Sequence, residues 1–112
     1  MECFEKMIAR IWHGWTSFKN ADTYENLLKN EIFPSIEKRK IQGYRKISLL
    51  KRTLQNEVEF ITIMQFDDLN AVKEFAGEDY ENSYVPQIAQ EVLLRHDNTS
   101  QHYEIVGEFE YV

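Results

Sequence analysis

Four side chains near the two ends of the chain have types that suit the binding and deprotonation of an acidic aromatic molecule: Arg10, Trp12, His102 and Glu104. A histidine with a pKa near neutrality can take a phenolic proton, and a neighbouring carboxylate can orient its ring. An arginine can hold the resulting oxyanion, and a tryptophan can stack on a flat substrate. We predict that the four converge, with His102, Arg10 and Glu104 catalytic and Trp12 binding the substrate.

The same four residues also fit a purely structural arrangement. Arg10 and Glu104 can form an ion pair beside a histidine that has no chemical role, because buried charges are normally paired. Trp12 can pack in an interface between two subunits, where tryptophan is enriched. Residue types alone leave both interpretations open.

Three further residues are candidates for ligand binding: His13, Tyr80 and Tyr84. His13 precedes Gly14, which allows another chain or a ligand to approach closely, although a hydrogen-bonded structural histidine fits as well. The two tyrosines lie in a predicted loop, and such loops often form the mouth of a cavity. They can instead cover the edge of the core or contact a partner subunit.

No metal or cofactor is expected. The histidines at 13, 96 and 102 do not have the spacing of metal ligands on one element, and cofactor-binding glycine loops are absent from the sequence. His96 follows Arg95 at a predicted helix end, which suits a capping role. Cys3 is the only cysteine, so no internal disulfide framework is expected and a reducing, cytoplasmic location is predicted.

The charge and hydropathy of the chain exclude two classes of partner. The formal net charge of −6 argues against nucleic acid, whose binders concentrate positive charge. No apolar run approaches the roughly 18 residues that a membrane span needs, and the N-terminus lacks the pattern of a secretory signal. We therefore expect neither nucleic acid nor membrane as a partner.

Hydrophobic periodicity predicts four strands, at about residues 7–15, 44–53, 58–66 and 102–112, with Gly107 marking a bulge or a change of direction. A capping box at Asp22 and Glu25 predicts a helix that runs to the low thirties and is broken or kinked at Pro34. A second helix is expected to be capped by Asp67 or Asp68 and to end at a C-terminal cap at Gly77. A third is expected to start at Pro86 and to run through about residue 93.

This order of elements is the split βαβ pattern and predicts one α+β, ferredoxin-like domain over residues 1–112. Right-handed crossovers place the first and third strands in the middle of an antiparallel four-stranded sheet, with the main helices on one face. We expect Arg10 and Trp12 to lie on the other, uncovered face, together with His102 and Glu104. Because that face carries large apolar residues, a second copy of the chain is the expected cover, with a cavity between the two.

Four segments resemble the antibiotic biosynthesis monooxygenase family of dimeric α/β barrels: MIARIWHGW at 7–15, VEFITIMQF at 58–66, FAGEDYE at 75–81 and HYEI at 102–105. The resemblance extends over about residues 7–106. It implies a homodimer and two chemistries known in the family. One branch oxidises phenolic polyketides with molecular oxygen and no cofactor, and another opens haem.

The haem branch has an asparagine on the first strand and a histidine on the helix after the third strand. Residues 7–15 contain no asparagine and residues 68–76 contain no histidine, so the sequence departs from that motif. The predicted function is cofactor-independent oxidation of a small aromatic compound, phenolic or polyketide-like. The alternative is a non-catalytic dimeric module of the same fold that binds a small molecule or has a structural role.

Overall fold

A computed structural model describes residues 7–112 of the chain; Cys3 lies outside this range. The elements follow one another as β1 (Ile8–Thr16), α1 (Ala21–Leu27), a π-helical turn (Leu28–Ile32), α2 (Phe33–Lys38), β2 (Tyr44–Thr53), β3 (Val58–Phe66), α3 (Leu69–Ala76), α4 (Gln87–Gln90), β4 (Arg95–His96) and β5 (Gln101–Glu104).

The strands form one antiparallel sheet in the order β2, β3, β1, and two short strands share the outer edge of β1. β4 pairs with β1 at Gly14, whereas β5 pairs with it further along, where Arg10 faces His102. The central pair is in continuous register, from Ile8 opposite Phe66 to Thr16 opposite Val58. The predicted α+β, ferredoxin-like arrangement, with the first and third strands central, is confirmed.

Burial alternates strictly along both central strands, which distinguishes the two faces of the sheet. The fully buried set packs under the helices and forms the core together with residues such as Tyr24 and Phe75. Arg10 and Trp12 belong to this buried set. The expectation that they lie on the uncovered face is therefore wrong. Alternation sorts residues into two sets, but it does not tell which set the helices cover.

The opposite face of the sheet has no helix over it in the described part of the chain, and its residues are half-buried or exposed. β1 and β3 contribute paired rows to this face, such as Ile11 opposite Ile63 and His13 opposite Ile61. By their register, Leu50 of β2 and Tyr103 of β5 belong to the same face of the sheet, and both are exposed. We call this surface the open face.

The first helical region continues through Lys38 and is not broken at Pro34. Pro34 occupies the first turn of α2, where a missing N–H needs no acceptor. In the π-helical turn directly before it, hydrogen bonds join residues five apart, and α-helical bonding resumes in α2. The helix begins at Ala21 with Asn20 as its N-cap, and no side chain caps it, so the predicted capping box at Asp22 is also wrong.

The second predicted helix is confirmed as α3, whose N-cap Asp68 accepts from the Ala71 amide at 2.8 Å. Gly77 ends this helix with a φ of 90°, a conformation that glycine adopts without strain. None of the helices within residues 7–112 has the length and apolar character needed to cross a membrane.

The last third of the chain is less regular than predicted. The helix after Pro86 is only four residues long, because Leu94 donates to the Trp15 carbonyl at 2.8 Å and the chain enters β4. β5 ends at Glu104, and residues 105–112 have no regular secondary structure. Gly107 therefore lies beyond the strand and marks no bulge.

Candidate functional site

A cavity of about 50 Å³ lies between the sheet and the helices. Its walls are mostly apolar side chains from the sheet on one side and from the helices on the other. The segment that contains Tyr84 covers a third side. Side chains with polar groups also line it, among them Arg10, Tyr24, Thr62, Tyr84 and Ser100. Pockets for drug-sized ligands measure about 300 Å³ or more, so a substrate of that size enters only if a wall moves.

Arg10 is the most constrained polar group of the cavity. β1 places its side chain under the helices, where 3% of the residue is exposed. Its guanidinium donates to the backbone carbonyls of Tyr80 at 2.5 Å and Asn82 at 3.0 Å. Its Cζ also lies 5.4 Å from the centre of the Phe75 ring, close enough for a cation–π interaction.

Among the described residues, no carboxylate lies within ion-pair distance of Arg10. The Arg10–Glu104 ion pair considered above is therefore replaced by carbonyl partners. Burial lowers the pKa of Arg10 to about 10, because desolvation disfavours the charged form. At neutral pH Arg10 therefore stays charged, and no carboxylate of residues 7–112 pairs with it.

His102 lies directly beside this charge. β5 pairs it with Arg10 across the sheet, and its Nε2 is 3.0 Å from an Arg10 Nη1. Because a guanidinium only donates hydrogen bonds, Nε2 is the acceptor and the ring proton is on Nδ1. Burial, and then the charge of Arg10, lower the pKa of His102, while Glu81 opposes them. His102 is therefore neutral at pH 7.

Trp12 lies one position further along the buried face of β1. It is buried, lines the cavity, and its indole N–H donates to the Asp97 carbonyl at 2.9 Å. A Cβ at Gly14 would come within 2.6 Å of the Trp12 ring. Glycine at position 14 thus allows the indole to lie flat along its own strand, which fixes the floor of the cavity.

The two loop tyrosines have different positions. Tyr84 lines the cavity, is 44% exposed, and packs edge-on against Phe75 with ring centres 5.3 Å apart. The Tyr80 ring packs edge-on against His102 at 5.1 Å, so Tyr80 supports the histidine rather than lining the cavity. Hydrogen bonds hold the loop itself against residues 97–100. For example, the Ser100 N–H donates to the Glu81 carbonyl at 2.8 Å.

Two of the predicted site residues, Glu104 and His13, lie away from Arg10 and the cavity. Glu104 pairs with Ile8, is exposed, and does not line the cavity. His13 lies on the open face, where its Nδ1 is 3.0 Å from an Asp97 carboxylate oxygen and its ring stacks on Trp15. The structure therefore brings Arg10, Trp12 and His102 together and places Glu104 and His13 elsewhere.

No group of three or more histidine, cysteine or acidic residues within residues 7–112 is arranged to hold a metal ion. The polar groups that line the cavity include the Arg10 guanidinium and several hydroxyls. The neutral imidazole of His102 does not line the cavity and lies against the guanidinium. This set can bind an oxyanion and accept a proton.

Comparison with known proteins gives matches in structure only, since no family model and no curated protein sequence matches the chain. A candidate antibiotic biosynthesis monooxygenase from Bacillus cereus superposes with a TM-score of 0.64 at 13% identity, covering 95% of this chain and 99% of that one. A monooxygenase of Streptomyces coelicolor, solved with nanaomycin D, gives 0.58 at 12% identity, covering 96% and 94%.

The chain has the antibiotic biosynthesis monooxygenase fold. A third protein with this fold, Rv0793 of Mycobacterium tuberculosis, matches with a TM-score of 0.55 at 17% identity and covers 95% of this chain and 99% of that one. At these identities the comparison establishes the architecture and does not transfer any residue's role.

Sequence reasoning missed several residues of the cavity. Tyr24 and Thr62 both line it, yet each fits the buried stripe of its helix or strand and carries no motif. Asn82 takes part only through its backbone carbonyl, which no side-chain pattern reveals. Thr62 is the one polar residue on the otherwise apolar buried face of β3, and this is the signal that could have identified it as a cavity residue.

We expect replacement of Arg10 by methionine to raise the pKa of His102 relative to the unchanged protein, because a neighbouring positive charge is removed while burial persists. Titration of the His102 ring signals by NMR measures this. Arg39→Met is the matched control, since Arg39 also stacks on Phe75, at 5.2 Å, and donates to backbone carbonyls without contacting the histidine. Equal His102 pKa values in all three proteins would contradict the assignment.

Proposed function

We propose that the protein is a cofactor-independent monooxygenase-like enzyme that oxidises a small, acidic aromatic compound in the cavity between sheet and helices. The observation that carries the proposal is the buried charge of Arg10, which has carbonyl partners and no carboxylate partner in the described chain. A buried cation in apolar surroundings stabilises an anion far more than it would in water. A phenolate oxygen against Arg10 would supply the missing counter-charge.

His102 is the proposed proton acceptor. It is neutral because its pKa is lowered, and neutral imidazole is the form that accepts a proton. In the structure its Nε2 accepts from Arg10 at 3.0 Å. A substrate oxygen bound by the guanidinium would replace this contact, which frees the nitrogen beside the phenolic proton.

The oxidation that follows needs no electron donor other than the substrate. The phenolate transfers electrons to molecular oxygen, a C–O bond forms at a ring carbon, and loss of water leaves a quinone. The phenol loses its O–H hydrogen and one ring C–H hydrogen, both of which end in one water with one oxygen atom of O₂. The other oxygen atom becomes the new carbonyl and the phenol oxygen the second, so atoms and electrons balance. The Trp12 indole and the apolar walls would hold the ring flat and keep water away from the intermediate.

The similarity to two monooxygenases in fold supports this class of reaction. The nanaomycin D held by the Streptomyces coelicolor protein supports a flat, oxygenated aromatic as the substrate class. Both similarities are at low sequence identity, so the proposal depends mainly on the arrangement of Arg10 and His102.

A non-catalytic binding module is the second candidate, and one observation favours it. Arg10 already fastens the loop at Tyr80 and Asn82, and the cavity is small. Both facts fit a guanidinium with a structural task. The two candidates share the cavity but differ in whether oxygen is consumed.

Oxygen uptake with dihydroxyaromatic compounds separates the candidates. We expect Arg10→Met to lower kcat/KM about 100-fold, since loss of one oxyanion donor has an effect of that order. His102→Gln should lower the rate by a similar or larger factor. The control Arg52→Met changes a largely exposed arginine of β2 and should leave the rate unchanged.

Unchanged rates in both the Arg10 and the His102 variant would exclude these two residues as the site. Binding of the compounds without any oxygen uptake by the unaltered protein would favour the binding module.

We further propose that the chain forms a homodimer through the open face, as one domain over residues 1–112. The centre of this face is apolar, from residues such as Ile11, Ile61 and Leu50, and pairs of opposite charge lie at its rim, such as Arg52 with Glu59 at 3.5 Å. A surface with an apolar centre and both charge signs at its edge can pair with its own copy. The single cysteine supports a reducing, cytoplasmic location.

We expect sedimentation at micromolar concentration to give a dimer, and Ile61→Lys to give a monomer because it buries a charge in the centre of the interface. Ile88→Lys is the matched control: Ile88 of α4 is 45% exposed on the helical side of the molecule and should leave the dimer intact. A monomeric unaltered protein, or dissociation by the control alone, would contradict the proposed interface.

A further inference from the structure

Tyr24 is a buried cavity residue whose hydroxyl the proposed reaction does not use. α1 lays its ring edge-on against Phe60 of β3, with centres 5.0 Å apart, and 1% of the residue is exposed. The residue lines the same cavity as Arg10. Within the described part of the chain, its hydroxyl makes no hydrogen bond.

A buried hydroxyl without a partner is rare, because its desolvation is not compensated. Thr16 provides a contrast within the same protein: its Oγ1 is also unpaired but is sealed by protein atoms and does not line the cavity. The Tyr24 side chain instead borders open space. Its missing partner can therefore be a group that enters the cavity.

The protonation state of Tyr24 fixes what that group must offer. Burial raises the pKa of Tyr24 well above its ordinary value, so the hydroxyl keeps its proton throughout the neutral range. A protonated phenol donates a hydrogen bond. The matching ligand group is an oxygen acceptor.

The sheet register places the ring of Tyr24, which packs on Phe60, further along the cavity than the strand position of Arg10. On β3, Met64 is the partner of Arg10. Thr62 lies two residues before Met64, and Phe60, against which Tyr24 packs, lies two residues before Thr62. Since strands rise by about 3.4 Å per residue, the Cα atoms of Met64 and Phe60 are about 14 Å apart. The Arg10 and Tyr24 side chains both line the cavity, so the span left for a ligand is shorter than this backbone separation. Thr62, which also lines the cavity, lies between Met64 and Phe60.

We infer that Tyr24 determines specificity by donating a hydrogen bond to a second oxygen of the aromatic ligand, at the end remote from the oxygen that Arg10 holds. This inference rests on the proposed function, because it assumes the same ligand in the same cavity. A ligand with oxygens at both ends would then be preferred to one with a single hydroxyl.

The test compares two probes, 1-naphthol and 1,5-dihydroxynaphthalene, by calorimetric binding under argon so that no turnover occurs. The unaltered protein should bind the diol more tightly. Tyr24→Phe should weaken diol binding about five- to tenfold, the change expected for one hydrogen bond, and should leave 1-naphthol binding unchanged. Tyr44→Phe is the matched control, because Tyr44 is a partly buried tyrosine that does not line this cavity.

Thermal unfolding without ligand adds a second measurement. Because the Tyr24 hydroxyl has no partner to lose, Tyr24→Phe should leave the Tm unchanged or raise it. A lower Tm would mean that the hydroxyl is already bonded within the protein, which would overturn the inference.

Equal effects of Tyr24→Phe on both probes, or none on either, would overturn the inference while leaving the proposed function intact, provided that Arg10→Met still weakens both. If the unaltered protein binds neither probe, or Arg10→Met changes nothing, the proposed function fails and the inference fails with it.

Discussion

The cavity depends on one contact, the guanidinium of Arg10 held between the sheet and the loop that follows α3. Two carbonyls of that loop and the His102 ring accept its hydrogen bonds, and Phe75 covers it from the helix. These partners satisfy its donors but bring no negative charge. The arginine therefore orders the loop and, at the same time, leaves a local excess of positive charge inside an apolar core. Both the shape and the proposed chemistry of the site follow from that combination.

This arrangement couples ligand binding to the loop. An anion that takes hydrogen bonds from Arg10 competes with Tyr80 and Asn82 for the same donors, and a ligand larger than the cavity of about 50 Å³ must displace its walls. The segment with Tyr84 is the wall with the least regular structure. An oxyanion that replaced the two carbonyls at Arg10 would thus fill the site and, in the same step, release the loop from the arginine. Loops gate the active sites of many enzymes in this way.

The fold was predictable from the sequence because β1, β2, β3 and α3 each carry a strong local pattern, and their order permits few topologies. The site was predictable only in part. Arg10 and His102 are neighbours because adjacent strands pair at these two positions, whichever face they occupy, and Trp12 lies two residues from Arg10 on the same strand. The face itself was misjudged, since an arginine suggested solvent or an interface, and its carbonyl partners are invisible in sequence. Tyr24 was missed because a tyrosine in a helical stripe looks like ordinary core.

The central claim is that Arg10 makes the cavity favour an anionic oxygen. The most direct measurement is an absorbance titration of para-nitrophenol bound to the protein, since the phenol and the phenolate have different spectra. The account predicts that the bound dye ionises at a lower pH than the free dye and that Arg10→Met removes this difference. A bound dye that ionises at the same pH as the free dye, or at a higher one, would contradict the account.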